Sequence, residues 1–157
     1  MILQDELELR TPIKLLPHEV LLNVYYTAAC LKKEAVRFLR SFGLTDVQFN
    51  LMMLLAHQSG REEGLSQAQI SKMMLVNRAN ITTLIDRMER DGLVRRTPVA
   101  SDRRTNIIKL SEHGKKLLEE VEPCYADEVH RIMAEFKQNE QKELIRMLEK
   151  IRQDAKG

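Results

Sequence analysis

The sequence predicts a mainly α-helical fold carrying a single small β-hairpin, and three observations predict it. Apolar residues recur at helical spacing over most of the chain. Good N-cap residues stand at the head of several of those runs. Only the stretch 93–110 changes to short extended runs. At 157 residues the chain is long enough for one domain with a core and too short for two ordinary ones. Hydrophobic residues make up 43% and charged residues 31%, ordinary values for a helix-rich soluble protein. The net charge of +2 is too small to mark the whole molecule as a polyanion binder, so a nucleic-acid role has to rest on where the charge sits. Residues 1–10 alternate acidic and apolar side chains without a positively charged start, and no apolar run is long enough for a bilayer. Cys30 and Cys124 have no metal-ligand spacing and fit a reducing compartment. The expectation is a soluble cytoplasmic protein.

The elements follow in order. Residues 1–16 are mixed in pattern and form an N-terminal extension ending at Pro17, a favourable residue for a first helical turn. Leu21, Tyr25, Ala28, Leu31, Ala35, Phe38 and Phe42 then predict one long amphipathic helix closed by Gly43. Thr45 with Gln48 is a capping box that opens a second helix through the apolar run 51–56. That helix reads as buried on more than one side and stops near Gly60. Ser66 with Gln69 is another capping box, and Leu65 with Ile70 has the spacing of a hydrophobic staple. Asn77 caps the next helix, and Val76 with Ile81 repeats the staple. On that helix Ile81, Leu84, Ile85 and Met88 form one apolar stripe. Gly92 supplies a left-handed ending, with Leu93 placed to touch Met88. Residues 93–99 and 105–110 read as two strands joined by an arginine-rich tip. Ser111 caps a long helix carrying Leu117, Leu118, Val121, Tyr125, Val129, Ile132 and Phe136, with a kink expected at Pro123. Asn139 opens a last helix with Leu144, Met147, Leu148 and Ile151 on one face.

If the stripe from Ile81 to Met88 faces the core, the opposite side presents Arg78, Ala79, Thr82, Thr83, Asp86 and Arg87, with Asn80 near the start. Such a mix suits a DNA major groove, where arginine pairs with guanine, asparagine with adenine, and a threonine or alanine methyl meets thymine. The preceding helix offers Ser66 and Gln67 at its start, and Asn77 stands at the head of the second helix, where N–H groups favour phosphate. Between Asn77 and Arg104 there are seven arginines (Arg78, Arg87, Arg90, Arg95, Arg96, Arg103, Arg104) and four acids (Asp86, Glu89, Asp91, Asp102), a local charge of 7 − 4 = +3. Arginine without lysine favours bidentate phosphate or base contacts. At the hairpin tip Arg103 and Arg104 are placed to enter a minor groove, with Asp102 holding one of them in position. A solvated helical face beside an ordinary charged hairpin is the plainer alternative, and the two features occurring together weigh against it.

On these residues the chain resembles the MarR family of winged helix–turn–helix transcription regulators. The segments that carry the resemblance are LSQAQISKMM, NRANITTLIDRMERDGLVRR, the wing SDRRTNIIKLSEHGKKLL and the closing NEQKELIRMLEKI. The fold class implied is mainly α with a small β-hairpin wing: a winged helix–turn–helix lobe plus N- and C-terminal dimerisation helices. A single domain would run over 17–153, with the helix–turn–helix at 66–91, the wing at 93–110 and dimerisation helices at 17–43 and 111–153. The resemblance also implies a homodimer whose two lobes bind a palindromic operator. It implies release by a small ligand, or by thiol oxidation, at the junction of the dimerisation and DNA-binding parts. Independently, the first, fifth and sixth helices carry wide apolar faces that a domain this small has little else to cover.

The remaining chemistry is sparse. Cys30 lies well inside the first helix and reads as a small core hydrophobe, although Lys32 and Lys33 would favour its thiolate if they shared its side. Cys124 has no evident partner. His18, His57, His113 and His130 form no ligand pair, and Asp127 with His130 alone is a weak metal site, so no metal or cofactor is expected. An effector pocket between the first, second and fifth helices would be lined by Tyr25, Tyr26, Phe49, Met53 and His57 and would suit a small aromatic or amphipathic molecule, although core packing explains the same residues. No catalytic constellation emerges, so the chain is not expected to be an enzyme. The expectation is a repressor that binds double-stranded DNA as a homodimer. The alternatives are a winged-helix protein-interaction module that reads no DNA, and a thiol-based redox sensor.

Overall fold

Caps and glycines decide where the helices of this chain begin and end. In the computed structural model the described residues are 3–60, 64–74, 77–99 and 102–155. A short helix, α1 (Leu3–Glu6), lies in the N-terminal extension and buries Leu3. The periodicity of that extension is too short to announce it. The first long helix, α2 (Leu16–Arg40), has Leu15 as its N-cap and Pro17 in its first turn. It closes with Gly43 N–H donating to Arg40 O at 3.1 Å and Leu44 N–H donating to Leu39 O at 3.1 Å. Helix α3 (Asp46–His57) opens with the expected capping box: Gln48 N–H donates to Thr45 Oγ1 at 3.2 Å, and Thr45 N–H donates to Gln48 Oε1 at 2.9 Å. Phe49, Leu51, Met52 and Leu55 are all buried. Their spacing wraps around the helix, which is why α3 packs on more than one side.

Ahead of α4 (Gln67–Met74) the structure adds an element the sequence did not announce, a two-residue strand β1 (Leu65–Ser66). The Ser66–Gln69 capping box is present as expected, with bonds of 2.8 and 3.3 Å, and Leu65 and Ile70 are both buried. Helix α5 (Arg78–Arg90) begins at Asn77, whose side chain accepts from Asn80 N–H at 3.0 Å. The second staple includes Val76, which lies outside the described residues. At the far end Gly92 takes φ 72°. Its N–H donates to Glu89 O at 3.1 Å and Leu93 N–H donates to Met88 O at 2.8 Å, the paired bonds of a Schellman ending.

The hairpin consists of β2 (Val94–Val99) and β3 (Asp102–Leu110). The sheet is three-stranded and antiparallel, in the order β1-β3-β2, so the two-stranded expectation is corrected by the pairing of Leu65 with Ile108 and Ser66 with Ile107. Val94 pairs with Leu110, and the register shifts after Pro98 so that Val99 pairs with Asp102. Pro98 sits on edge strand β2, where a missing N–H is tolerated.

The chain divides into two compact units, Met1–Lys115 and Lys116–Gly157. Helix α6 (Glu112–Met133) starts in the first and runs unbroken through Pro123. Ser111 caps it as expected, accepting from Gly114 N–H at 2.9 Å. The last helix, α7 (Gln138–Asp154), starts one residue before Asn139, because the Glu140 carboxylate accepts from Lys137 N–H at 2.7 Å and fixes the turn there. No residue of α7 is buried.

Candidate nucleic-acid interface

The core stripe of α5 is as its spacing requires: Ile81, Ile85 and Met88 have no exposed surface, and Leu84 is half-buried. Ala79, Asn80, Thr82, Thr83, Asp86 and Arg87 are exposed on the remaining surface of the helix. Thr83 Oγ1 donates to Ala79 O at 3.2 Å, which spends the hydroxyl proton on the backbone and leaves the oxygen as an acceptor beside the methyl. Asn77 is an exposed cap whose oxygen is used by Asn80 N–H. Ser66 and Gln67 are half-buried at the head of α4, with Ser66 also held by its pairing to Ile107.

The wing differs from the expectation in where its arginines sit. Asp102, Arg103 and Arg104 belong to β3 rather than to the turn, because the shifted register after Pro98 lets β3 begin at Asp102. Their side chains, and that of Arg78, lie outside the described residues. Hence the pairing of Asp102 with a wing arginine also falls outside them.

Among the described arginines, Arg87, Arg90 and Arg95 are exposed. Arg96 is different. Its Nη2 pairs with Asp86 and its Nη1 with Glu89, and its own N–H donates to Glu89 Oε1 at 3.1 Å. The hydrogen bond to Asp86 is the main cause that raises the guanidinium pKa above its ordinary value, with Glu89 adding to it. Arg96, one of the seven arginines in the local charge count, is thus held by two carboxylates, and Asp86, exposed on the helix side where its spacing put it, is one of them. Strand alternation was the available signal: Val94 is buried, Arg95 exposed and Arg96 half-buried. A second long-range link joins α3 to the end of α5, where Gln48 Nε2 donates to Asp91 Oδ2 at 3.2 Å.

Of the five expected effector residues two, Met53 and His57, line a groove of about 450 Å³ between α3 and α4, with Asn50, Leu54, Gln58, Met73 and Met74. Phe49 faces the core at 3% exposure, while Tyr25 stands 69% exposed on α2. Tyr26 is half-buried, and the neighbouring Cys30 sulfur is the main cause that pushes its phenol pKa up. Sequence periodicity missed Met73 and Met74 as lining because they close a short helix whose partner face is set only by the tertiary fold. Among the described residues, no helix is long and apolar enough to cross a membrane.

Residues 42–105 match the family model described as MarR family, a span that runs from just past α2 into β3. The HTH-type transcriptional repressor YetL of Bacillus subtilis (strain 168) is 31% identical over 106 residues, 68% of this chain and 62% of that protein. The transcriptional activatory protein BadR of Rhodopseudomonas palustris is 31% identical over 104 residues, 66% of this chain and 59% of that protein. The crystal structure of Sco3205, a MarR family transcriptional regulator from Streptomyces coelicolor in complex with DNA, superimposes with a TM-score of 0.77 at 26% identity, covering 92% of each chain. The chain belongs to the MarR family. The MarR family model covers α3, β1, α4, α5, β2 and the start of β3 and leaves all of α2, α6 and α7 to the structural likeness. The alignments span less than two thirds of the length of YetL or of BadR.

Proposed function

We propose that this chain is a sequence-specific transcription regulator that binds double-stranded DNA as a homodimer on a palindromic operator, represses by occupying it, and is released by a small aromatic or amphipathic effector. The observation that carries the reading is the exposed side of α5, with Ala79, Asn80, Thr82, Thr83 and Arg87 standing opposite a fully buried stripe. A helix so held offers groove-reading side chains near its N-terminus on a rigid support. The arginine-rich wing follows it directly, and Ser66, Gln67, Asn77, Arg78 and Asp102 to Arg104 complete the proposed contact set.

Exposed apolar surface supports the homodimer. On α2 Leu16 is 71% exposed and Leu21 43%, and on α7 Ile145 is 55% and Met147 47% exposed. Faces of this kind mark association sites. Two-fold pairing would set two α5 helices about one DNA turn apart. The α3–α4 groove offers the effector apolar walls of Met53, Leu54, Met73 and Met74, with Asn50, His57 and Gln58 as polar tips. An effector seated there would favour one placement of α4 against α3 and so shift the population away from the DNA-fitting state.

Selection of bound duplexes from a random pool tests the reading. An inverted repeat is expected, with log K falling linearly in log salt as phosphate contacts release counterions. Recovery of no sequence, or association indifferent to salt, would favour a protein-interaction module instead.

A further inference from the structure

We infer that Arg96 is a positioning residue rather than a DNA contact: it fastens the wing to the recognition helix and masks two carboxylates beside the DNA-reading face. The inference rests on the DNA-binding reading of α5 and assigns a role to a cation that charge counting would place against phosphate. Asp86 and Glu89 stand one turn apart on α5, and their side chains are 51% and 39% exposed. The Arg96 side chain is 25% exposed, and both of its terminal nitrogens are committed to those two carboxylates. Its main-chain N–H adds a third bond, to Glu89 Oε1 at 3.1 Å. The planar guanidinium meets the two carboxylates through two separate nitrogens, a fixed fork that a lysine ammonium lacks.

Two consequences follow from this geometry. Strand β2 leaves α5 through the Gly92–Leu93 ending, and Arg96 ties it back at a second point, so wing and helix are held at a fixed angle. Without Arg96, two carboxylates would lie bare beside Thr82, Thr83 and Arg87, where they would repel phosphate. Arg95, its exposed neighbour on β2, remains available to DNA.

The test uses a duplex recovered by the selection above. Wild type, Arg96→Ala, and Arg96→Ala combined with Asp86→Asn and Glu89→Gln are titrated against it over a salt series, and wing amide exchange is measured for each protein. Arg96→Ala is expected to weaken binding at least about ten-fold at low salt, with the deficit shrinking as salt screens the exposed carboxylates. A folding defect would instead lower affinity by a factor independent of salt. The triple variant is expected to bind at least about three-fold more tightly than Arg96→Ala at low salt, with an undiminished salt slope, the remaining deficit being that of the unfastened wing. A triple variant as weak as the single one, with its slope reduced by about 0.9, would make Arg96 a phosphate contact and overturn the inference. Wild-type affinity in Arg96→Ala would overturn it as well. Faster amide exchange at Arg95 and Thr97 in Arg96→Ala is expected with or without DNA. If the selection yields no duplex, the DNA reading fails and the masking role falls with it, while this exchange still decides whether Arg96 fastens the wing.

Discussion

At the scale of single residues, the most demanding contact is where the start of α6 meets the end of α5. Ser111 N–H donates to Leu93 O at 3.0 Å, and Ser111 Oγ donates to Gly92 O while accepting from Gly114 N–H. A Cβ on Gly114 would fall 2.1 Å from Leu93 O, well inside contact distance of a backbone atom that has no freedom to move aside. Gly114→Ala is therefore expected to destabilise the fold by about 3 kcal/mol, at the upper end of overpacking costs, and to lower the midpoint of chemical denaturation with an unchanged slope. An unshifted midpoint would show that the turn relaxes freely. Ser111 as an N-cap was legible in the sequence because capping is local. Its bond to Gly92 was not, since the partner lies well upstream and only the tertiary fold brings it near.

At the scale of elements, the same division holds for α5 and the wing. The stripe, the Asn77 cap and the Gly92 ending of α5 were all legible, because each is written within one turn of the element it shapes. Strand β1 was not. Its two residues also open α4, and a pairing to Ile107 and Ile108 leaves no periodic trace in two positions. The Asp86–Arg96–Glu89 clamp escaped for a related reason, since a charge count assigns a cation to solvent or ligand and cannot see an acid across a sheet–helix junction. Two substitutions separate the proposed jobs of helix and wing. Arg103→Ala is expected to weaken operator binding by about 1–3 kcal/mol while keeping the preferred sequence. Thr83→Ala is expected to change preference at one base pair per half-site, because its oxygen and methyl are the groups presented by that turn. Competition titrations with single-base operator variants measure both, and indifference to both changes would remove α5 and the wing from the interface.

At the scale of the whole molecule, the exposed apolar residues of α2 set the expectation. A chain that leaves Leu15 62% and Leu16 71% exposed is expected to cover them in solution. Leu16→Glu combined with Leu21→Glu is expected to convert a dimer to a monomer in sedimentation. It should also weaken operator binding by far more than a surface change, because each lobe alone makes only half the contacts. A wild-type monomer, or full-affinity binding by the variant, would rule out pairing through α2. The apolar faces themselves were legible from periodicity, which reports which residues seek cover without naming what covers them.

The inner strand β3 carries a consequence for how such a protein can be altered. Because Leu65 and Ser66 pair with Ile108 and Ile107, the chain between them, holding α4, α5 and β2, is tied off at its base. This loop is a cassette whose two ends lie side by side in one ladder. A graft of new sequence specificity would be joined at those two paired residues rather than at the ends of α5. The transplanted piece would then carry its own clamp and wing angle, and the recipient would supply a strand edge, a helix to cap and the α3 surface that bonds to Asp91.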